Sequence, residues 1–260
     1  MTRRDQAIVL RWLPRTNTSR LVFWLSRHGG RQVTLLRGSQ RPRSFLLGQF
    51  DLFYTCDLVY YTRDYDHLHA MRECSPISRR DGLRADWRAA AVASWCAELV
   101  FRALPPDAPQ PAVFDLLTLM LDQLAEQGAP RLFHSWFELR LLDLLGLRPR
   151  LDECAVCSGA LTGSPGGIAF HAAEGGLLCA ACAARRSSPA LTVGPATLAL
   201  LAAWQRETTP TLVRRTRHTP RQTAEADELL RRFLEHHLDI PLAGRYALRD
   251  ILDYPSARAG

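Results

Sequence analysis

The sequence contains no lysine: all 33 of its Lys/Arg positions are arginine. That absence excludes chemistry that needs a primary side-chain amine, such as a P-loop lysine, a Schiff base or a pyridoxal-phosphate attachment. Long apolar runs are missing too. Residues 89–101 are interrupted by Glu98 and are too short to span a bilayer, so no membrane segment is expected. Residues 1–16 hold Arg3 and Arg4 and then a short apolar run that Arg11 breaks, with no small-residue cleavage site. A signal peptide is therefore not expected, and a cytoplasmic protein is. The motifs G-x-S-x-G, H-E-x-x-H and G-x-G-x-x-G are absent, and no carboxylate pair stands out, so no catalytic centre and no enzyme is expected. Internal repeats and low-complexity tracts are absent as well.

What is present fits an ordinary globular protein. At 260 residues, with 47% apolar and 23% charged residues, the chain has room for one large or two modest domains. Its formal charge of +7 is unevenly placed. Residues 1–45 carry ten arginines against one acid, Asp5, a local +9, which leaves −2 for the remainder. Such a basic end points to a polyanionic partner.

Residues 1–75 read as β structure. Segments Gln6–Leu13, Arg20–Arg27, Arg31–Arg37, Phe50–Thr62 and His67–Cys74 are rich in Val, Leu, Phe, Tyr and Trp and are parted by turn residues such as His28-Gly29-Gly30 and Arg41-Pro42. Five strands, the fourth long enough to bend across two sheets, suit a closed barrel of the OB type, and an SH3-like barrel fits the same pattern. After Pro76 the period becomes helical. Trp87, Ala91, Trp95 and Leu99 recur at i+4, with Val92, Cys96 and Val100 beside them. A second helix carries Phe114, Leu117, Leu121 and Leu124 and stops at Gly128-Ala129-Pro130. A third runs from Phe133 through Leu144 to a C-cap at Gly146. Helical signals resume around Pro195–Arg206. The last clear helix opens on a capping box at Thr219-Pro220-Arg221-Gln222 and buries Ala226, Leu229, Leu230, Phe233 and Leu234.

Seven cysteines fall into two groups. Cys56, Cys74 and Cys96 sit singly in apolar surroundings and read as reduced core thiols. Cys154, Cys157, Cys179 and Cys182 form two C-x2-C pairs separated by 21 residues, which lets four thiolates converge on a tetrahedral Zn²⁺. A loop at Gly163–Gly167 absorbs the extra length of the gap. A redox pair and an iron–sulfur cluster compete with this reading; paired knuckles and the lack of a compact multi-cysteine run favour zinc. Four thiolates leave no open coordination position, so one structural zinc ion is expected. His171, inside the gap, is a possible substitute ligand, with a surface or outer-shell role as the plainer reading.

The basic end is also aromatic: ten of the 22 aromatic residues lie in the first 75 positions. Many of these rings belong in a barrel core. Arginines and rings sharing one face would suit single strands, because bases stack on rings and guanidinium groups engage phosphates. Arg11, Arg15 and Arg20 lie on the early segments, and Arg37, Arg41 and Arg43 on a turn-rich connection. Arg214, Arg215 and Arg217 form a second cluster, with Arg221 behind it. His67 and His69 alternate on one strand, have no evident partner and read as surface histidines.

Particular stretches of the chain resemble one family. They are Arg37-Gly38 with Arg41-Pro42-Arg43-Ser44 and Leu47-Gly48, and Phe133-His134-Ser135-Trp136-Phe137-Glu138-Leu139-Arg140 running into Leu145-Gly146-Leu147-Arg148-Pro149. Leu151-Asp152-Glu153-Cys154 to Cys157 and Gly175-Gly176-Leu177-Leu178-Cys179 to Cys182 complete the set. The pattern covers most of the chain and resembles the DNA repair protein RecO family. The resemblance implies an α+β fold with an N-terminal OB-fold β barrel followed by an α-helical domain with an inserted four-cysteine zinc module. It divides the chain into 1–78 (OB-fold, DNA-binding), 79–150 (helical, first part), 151–186 (zinc-binding) and 187–260 (helical, C-terminal part). It further implies a non-enzymatic mediator that binds single- and double-stranded DNA and anneals complementary strands. With RecR, such a mediator loads RecA onto DNA coated by single-strand-binding protein, whose acidic tail binds in the helical domain. A cytoplasmic, nucleoid-associated location follows. Members often carry lysine at basic positions where this chain has only arginine. An RNA-binding zinc protein and a metal-dependent nuclease are the alternative readings of the same residues.

Overall fold

A computed structural model describes residues 2–62, 68–161, 167–239 and 242–254 of the chain. Two compact units are present: Met1–Ala129 with Leu248–Gly260, and Pro130–Ala247.

The first unit is built on five strands: β1 (Thr2–Pro14), β2 (Arg20–Ser26), β3 (Gly30–Leu36), β4 (Thr55–Tyr61) and β5 (Leu68–Ser78). They close into a barrel in the order β1-β2-β3-β5-β4, with β3 and β5 parallel and the other pairs antiparallel. This is an OB-like arrangement, as the strand pattern predicts. Alternation fills its interior with Ala7, Val9, Val22, Trp24, Leu36, Cys56, Leu58 and Tyr60.

The long bending strand is the first and not the fourth. β1 pairs with β4 over Thr2–Ile8 and with β2 over Ala7–Pro14, and a bulge between Val9 and Arg11 turns it from one partner to the other. Residues 50–54, expected as the start of the fourth strand, instead form turns. Phe53 has a left-handed backbone (φ 67°), and its carbonyl accepts the Arg80 guanidinium at 2.5 Å. The rings of Phe50 and Tyr54 nevertheless help fill the barrel core.

Asp5, the lone acid of the basic end, is buried and organises the β2–β3 turn. Its carboxylate accepts from the Ser26 hydroxyl, from His28 N at 2.9 Å and from Gly29 N at 3.0 Å. The next residue must be glycine: Gly30 has φ 74°, and a Cβ there would lie 2.3 Å from the Ala108 carbonyl oxygen. Three helices follow the barrel in this unit, α1 (Gly82–Ala85), α2 (Trp87–Ala103) and α3 (Pro111–Gln127). Asp86 caps α2 through Arg88 N and Ala89 N. The helix buries Val92, Trp95, Cys96, Leu99 and Val100 as its period predicts, while Trp87 at its first turn is exposed. Arg80 holds α3 to the barrel by donating to Asp122 at 2.7 Å and Thr55 at 2.9 Å.

The second unit is organised around α4 (Phe133–Leu144), which is buried on nearly every side. The cysteine-bearing segment follows, with β6 (Ile168–His171), β7 (Gly176–Leu178), a short α5 (Ala180–Ala183) and β8 (Leu191–Val193), the strands forming one sheet in the order β7-β6-β8. Then come α6 (Pro195–Arg206), α7 (Thr211–Arg215) and α8 (Pro220–Leu238). The capping box at Thr219 and Gln222 is formed, and α8 buries Ala226, Leu229, Leu230, Phe233 and Leu234 as expected. A last helix, α9, spans Ala243–Asp253. Among the described residues no helix is long and apolar enough to cross a membrane.

Candidate nucleic-acid interface and metal centre

Two loops of the first unit are tied together at one place on the barrel. Gln40 N donates to Thr18 O at 3.0 Å, and Gly38 N donates to the Ser19 hydroxyl at 3.2 Å. The link between β1 and β2, which carries Arg15 and leads into Arg20, is thereby fastened to the link after β3, which carries Arg37, Arg41 and Arg43. Successive tight turns, with Arg41 N on Gly38 O at 3.1 Å and Ser44 N on Arg41 O at 2.9 Å, leave Arg37, Arg41 and Arg43 exposed.

Among the described residues no ion pair joins Arg15, Arg20, Arg37, Arg41 or Arg43 to a carboxylate. Elsewhere on the barrel Arg4 donates to Asp57 at 3.1 Å and Arg27 to Asp115 at 3.1 Å. Asp5 is enclosed in its turn. Arg20 lies over the partly exposed Trp12 ring, 5.3 Å from its centroid. A guanidinium on a ring beside four further cations is a surface that can meet both the phosphates and the bases of a strand.

The remaining candidate arginines have other surroundings. The Arg11 guanidinium lies over two rings, Phe23 at 5.4 Å and Phe101 at 5.1 Å, where it joins the barrel to α2. Arg214 lies 4.5 Å over Phe133, and burial lowers its pKa from the ordinary arginine value. Arg215 and Arg217 are exposed, and Arg221 pairs with Glu225 at 2.7 Å. His69 is a correction. It is buried, not a surface group, stacking on Tyr60 at 5.4 Å with Asp107 3.8 Å from Nε2. The long-range pairing of β5 with β3 covers it, which local alternation does not reveal. His67 lies outside the described residues.

The four thiols expected to bind a metal converge in the second unit. Cys154, Cys157, Cys179 and Cys182 place all four sulfurs within 4.8 Å of one another. The first pair lies on a tight knuckle, with Ser158 N donating to Cys154 O at 2.9 Å and Cys154 N to Gly159 O at 3.0 Å. The second pair flanks the first turn of α5, where Ala183 N donates to Cys179 O at 2.9 Å. Ala155 N on Leu177 O, at 2.7 Å, binds the two knuckles together. Cys157 Sγ and Cys179 Sγ are 3.8 Å apart. A tetrahedron with metal–sulfur bonds of about 2.3 Å has edges of about 3.8 Å, whereas a disulfide needs about 2.05 Å. The cluster therefore fits a single metal ion.

Its electrostatics agree. Burial pushes the Cys154 thiol up, but the backbone N–H groups of Cys179, Cys157 and Val156 outweigh it and hold the thiol at about 6. Cys182 is pushed up to about 12, first by its hydrogen bond with Cys179. Four sulfurs this close cannot all ionise without a cation to balance them. His171 is not among the four; its Nε2 meets the Ser188 hydroxyl at 2.6 Å. Cys56, Cys74 and Cys96 are buried thiols outside any disulfide, as expected, although Cys56 and Cys74 are not isolated: both sulfurs lie on the Gln49 carbonyl, at 3.5 and 3.6 Å.

A reading of the sequence alone could not show that the two basic loops touch, because Gln40–Thr18 and Gly38–Ser19 are contacts of the folded barrel. Asp5 was legible only as a lone acid in a basic stretch, opposite the His28-Gly29-Gly30 turn it caps.

Comparison with known proteins adds to this geometry. The family described as recombination protein O N terminal matches residues 1–80, and recombination protein O C terminal matches residues 84–245. A DNA repair protein RecO from Roseiflexus sp. (strain RS-1) is 34% identical over 239 residues, covering 91% of this chain and 81% of that protein. One from Anaeromyxobacter sp. (strain K) is 34% identical over 247 residues, 94% of each chain. One from Moorella thermoacetica is 28% identical over 248 residues, 95% of this chain and 90% of the other.

Proposed function

Since the chain belongs to the RecO family of DNA repair proteins, we propose that it is a non-enzymatic mediator that binds single- and double-stranded DNA and anneals complementary strands. The observation that carries this reading is the cluster of Arg15, Arg20, Arg37, Arg41 and Arg43, which the Gln40–Thr18 and Gly38–Ser19 hydrogen bonds assemble with no ion pair to a carboxylate among the described residues. Cations held together in this way release counterions when they meet phosphates, so affinity falls steeply with salt. Arg11 in the first unit and, separately, Arg214, Arg215 and Arg217 in the second are further candidate contacts. Arg11 and Arg214 are also engaged in packing, which leaves fewer of their donors for a strand.

The four cysteines hold one Zn²⁺ in this reading. The ion supplies structure, fixing two knuckles that have little core of their own. The residues do the rest: Cys154 and Cys157 anchor the chain leaving α4, and Cys179 and Cys182 anchor the start of α5. The helical second unit docks protein partners, namely RecR and the acidic tail of single-strand-binding protein, and through RecR the protein helps load RecA. It works in the cytoplasm at the nucleoid.

Annealing of complementary strands coated with single-strand-binding protein, followed with and without this protein, tests the reading. Faster annealing that salt suppresses is expected. No acceleration at low salt would sink it.

A further inference from the structure

Next to the basic cluster the barrel carries a pocket of about 200 Å³ between β3, β5 and the turn after Arg43, lined by Leu35, Arg37, Phe45, Leu46, His69 and Met71. It is smaller than the roughly 300–1,000 Å³ that encloses a whole drug-sized ligand. Its lining is largely apolar, with Leu46 part of the barrel core, and the buried His69 contributes to it. Its rim is unusual. Phe45 is 70% exposed, the most exposed large apolar side chain among the described residues. Among those residues no ring or guanidinium stacks on it, although Trp12, Phe23, Phe101 and Phe133 each carry an arginine. The turn that projects Phe45 is held by Leu46 N on the Ser44 hydroxyl and Leu47 N on Ser44 O, so the ring is presented by ordered backbone. Arg37, which meets no carboxylate among the described residues, completes the same rim.

We propose that this pocket receives a single unstacked nucleobase, with Phe45 stacking on the base and Arg37 engaging the phosphate that carries it. Size, an uncovered aromatic face and a cation on the same rim are together what an extruded base requires, and the neighbouring arginines supply the track for the backbone. A paired base keeps both faces in the duplex stack and cannot enter. The pocket therefore makes the barrel a reader of unpaired strands, whereas the arginines alone would bind any polyanion. The inference rests on the DNA-binding reading given above and adds to it the means of telling single strand from backbone charge.

The full-length protein would be titrated with a fluorescent oligothymidylate and with an abasic sugar–phosphate strand of equal length and charge. Wild type should bind the thymidylate about tenfold more tightly, the ratio one stacked base supplies. Phe45→Ala should bring that ratio close to one, and Phe45→Trp should restore it. A strand carrying 2-aminopurine should lose fluorescence on binding wild type and much less on binding Phe45→Ala. An unchanged ratio in Phe45→Ala, with both strands still bound, would overturn the pocket and leave DNA binding standing. Failure of wild type to bind either strand would overturn the DNA-binding reading itself, and the pocket with it. Phe45 is largely outside the core, so circular dichroism of the variant should match that of wild type.

Discussion

Glu138 and Arg245, 107 residues apart in sequence, face each other as a two-pronged ion pair inside the second unit. Arg245 Nε donates to Glu138 Oε1 at 2.9 Å and its NH2 to Oε2 at 3.1 Å. Their side chains are 0% and 3% exposed, and Arg245 NH1 also meets Asp227 at 2.8 Å. One cation thus ties α4, α8 and α9 together. Removing a single member of a buried ion group strands the remaining charges. Arg245→Met should accordingly destabilise the second unit by about 3–5 kcal/mol in denaturant unfolding. Replacing Glu138, Asp227 and Arg245 together by Leu, Leu and Met should cost much less than the single change. A triple variant weaker than Arg245→Met would contradict this role for the arginine.

Two acids of α8, Asp227 in this network and Glu228 beside it, give a pH signature. Although burial pushes Asp227 up, His134 and Arg245 hold it below the ordinary carboxylate range. Arg231, followed by Arg232, brings Glu228 down to about 2. Carboxylates depressed in the folded state stabilise it above their unfolded values near pH 4 and lose that contribution as pH falls through the folded values. The unfolding midpoint should decline between about pH 4.5 and pH 2, and Glu228→Gln should make the decline shallower. A flat midpoint over that window would refute it.

Metal content is the third test. About one zinc per chain is expected by elemental analysis, and Cys154→Ser should lower it. Structural zinc contributes on the order of 10 kcal/mol to such a segment, so a strong chelator should expose the 150–194 region to protease. Arg37, Arg41 and Arg43 lie in the first unit, and salt-sensitive DNA binding by the chelated protein should persist.

The basic cluster can be counted by salt. Each phosphate of a single strand that no longer meets a cation should lower the log–log salt slope by about 0.7. Replacing Arg41 and Arg43 together by alanine should reduce the slope by about 1.4, whatever the base sequence. Arg11→Ala should instead lower the unfolding midpoint, since a partly buried cation–ring contact is worth about 1 kcal/mol. A full unit of slope missing in Arg11→Ala would assign it to the strand.

Asp5 offers a test of the barrel. Its carboxylate accepts from Ser26, His28 and Gly29. Hydrogen bonds to a charged group are worth about 1.5–3 kcal/mol each. Asp5→Ala should lower barrel stability by at least about 2 kcal/mol, and His28→Ala, which keeps the backbone donors, should cost far less.

Local pattern revealed a good deal. The buried face of α8, the cap at Thr219, the stop at Gly128 and the four thiols all follow from spacing within a few turns of chain. Local pattern falls short where a distant partner decides. Residues 50–54 have strand composition, but Arg80 takes the Phe53 carbonyl and the barrel takes the rings. His69 alternates like a surface residue until β3 covers it. Glu138 looks like a polar position on a helix and is buried because Arg245 arrives from α9. The assembly of the two basic loops belongs to the same class.

The placing of β1 bears on how the chain is made. Its residues leave the ribosome before the rest of the barrel, yet one of its two edges must wait for β4, with Arg4 ending opposite Val59 and beside Asp57. Until about fifty further residues have followed, that edge is an open template for another chain. Arg3 and Arg4 stand on it, and like charges keep two such nascent edges apart. The arginines at the start of β1 thus guard against aggregation during synthesis, a task finished once the barrel has closed.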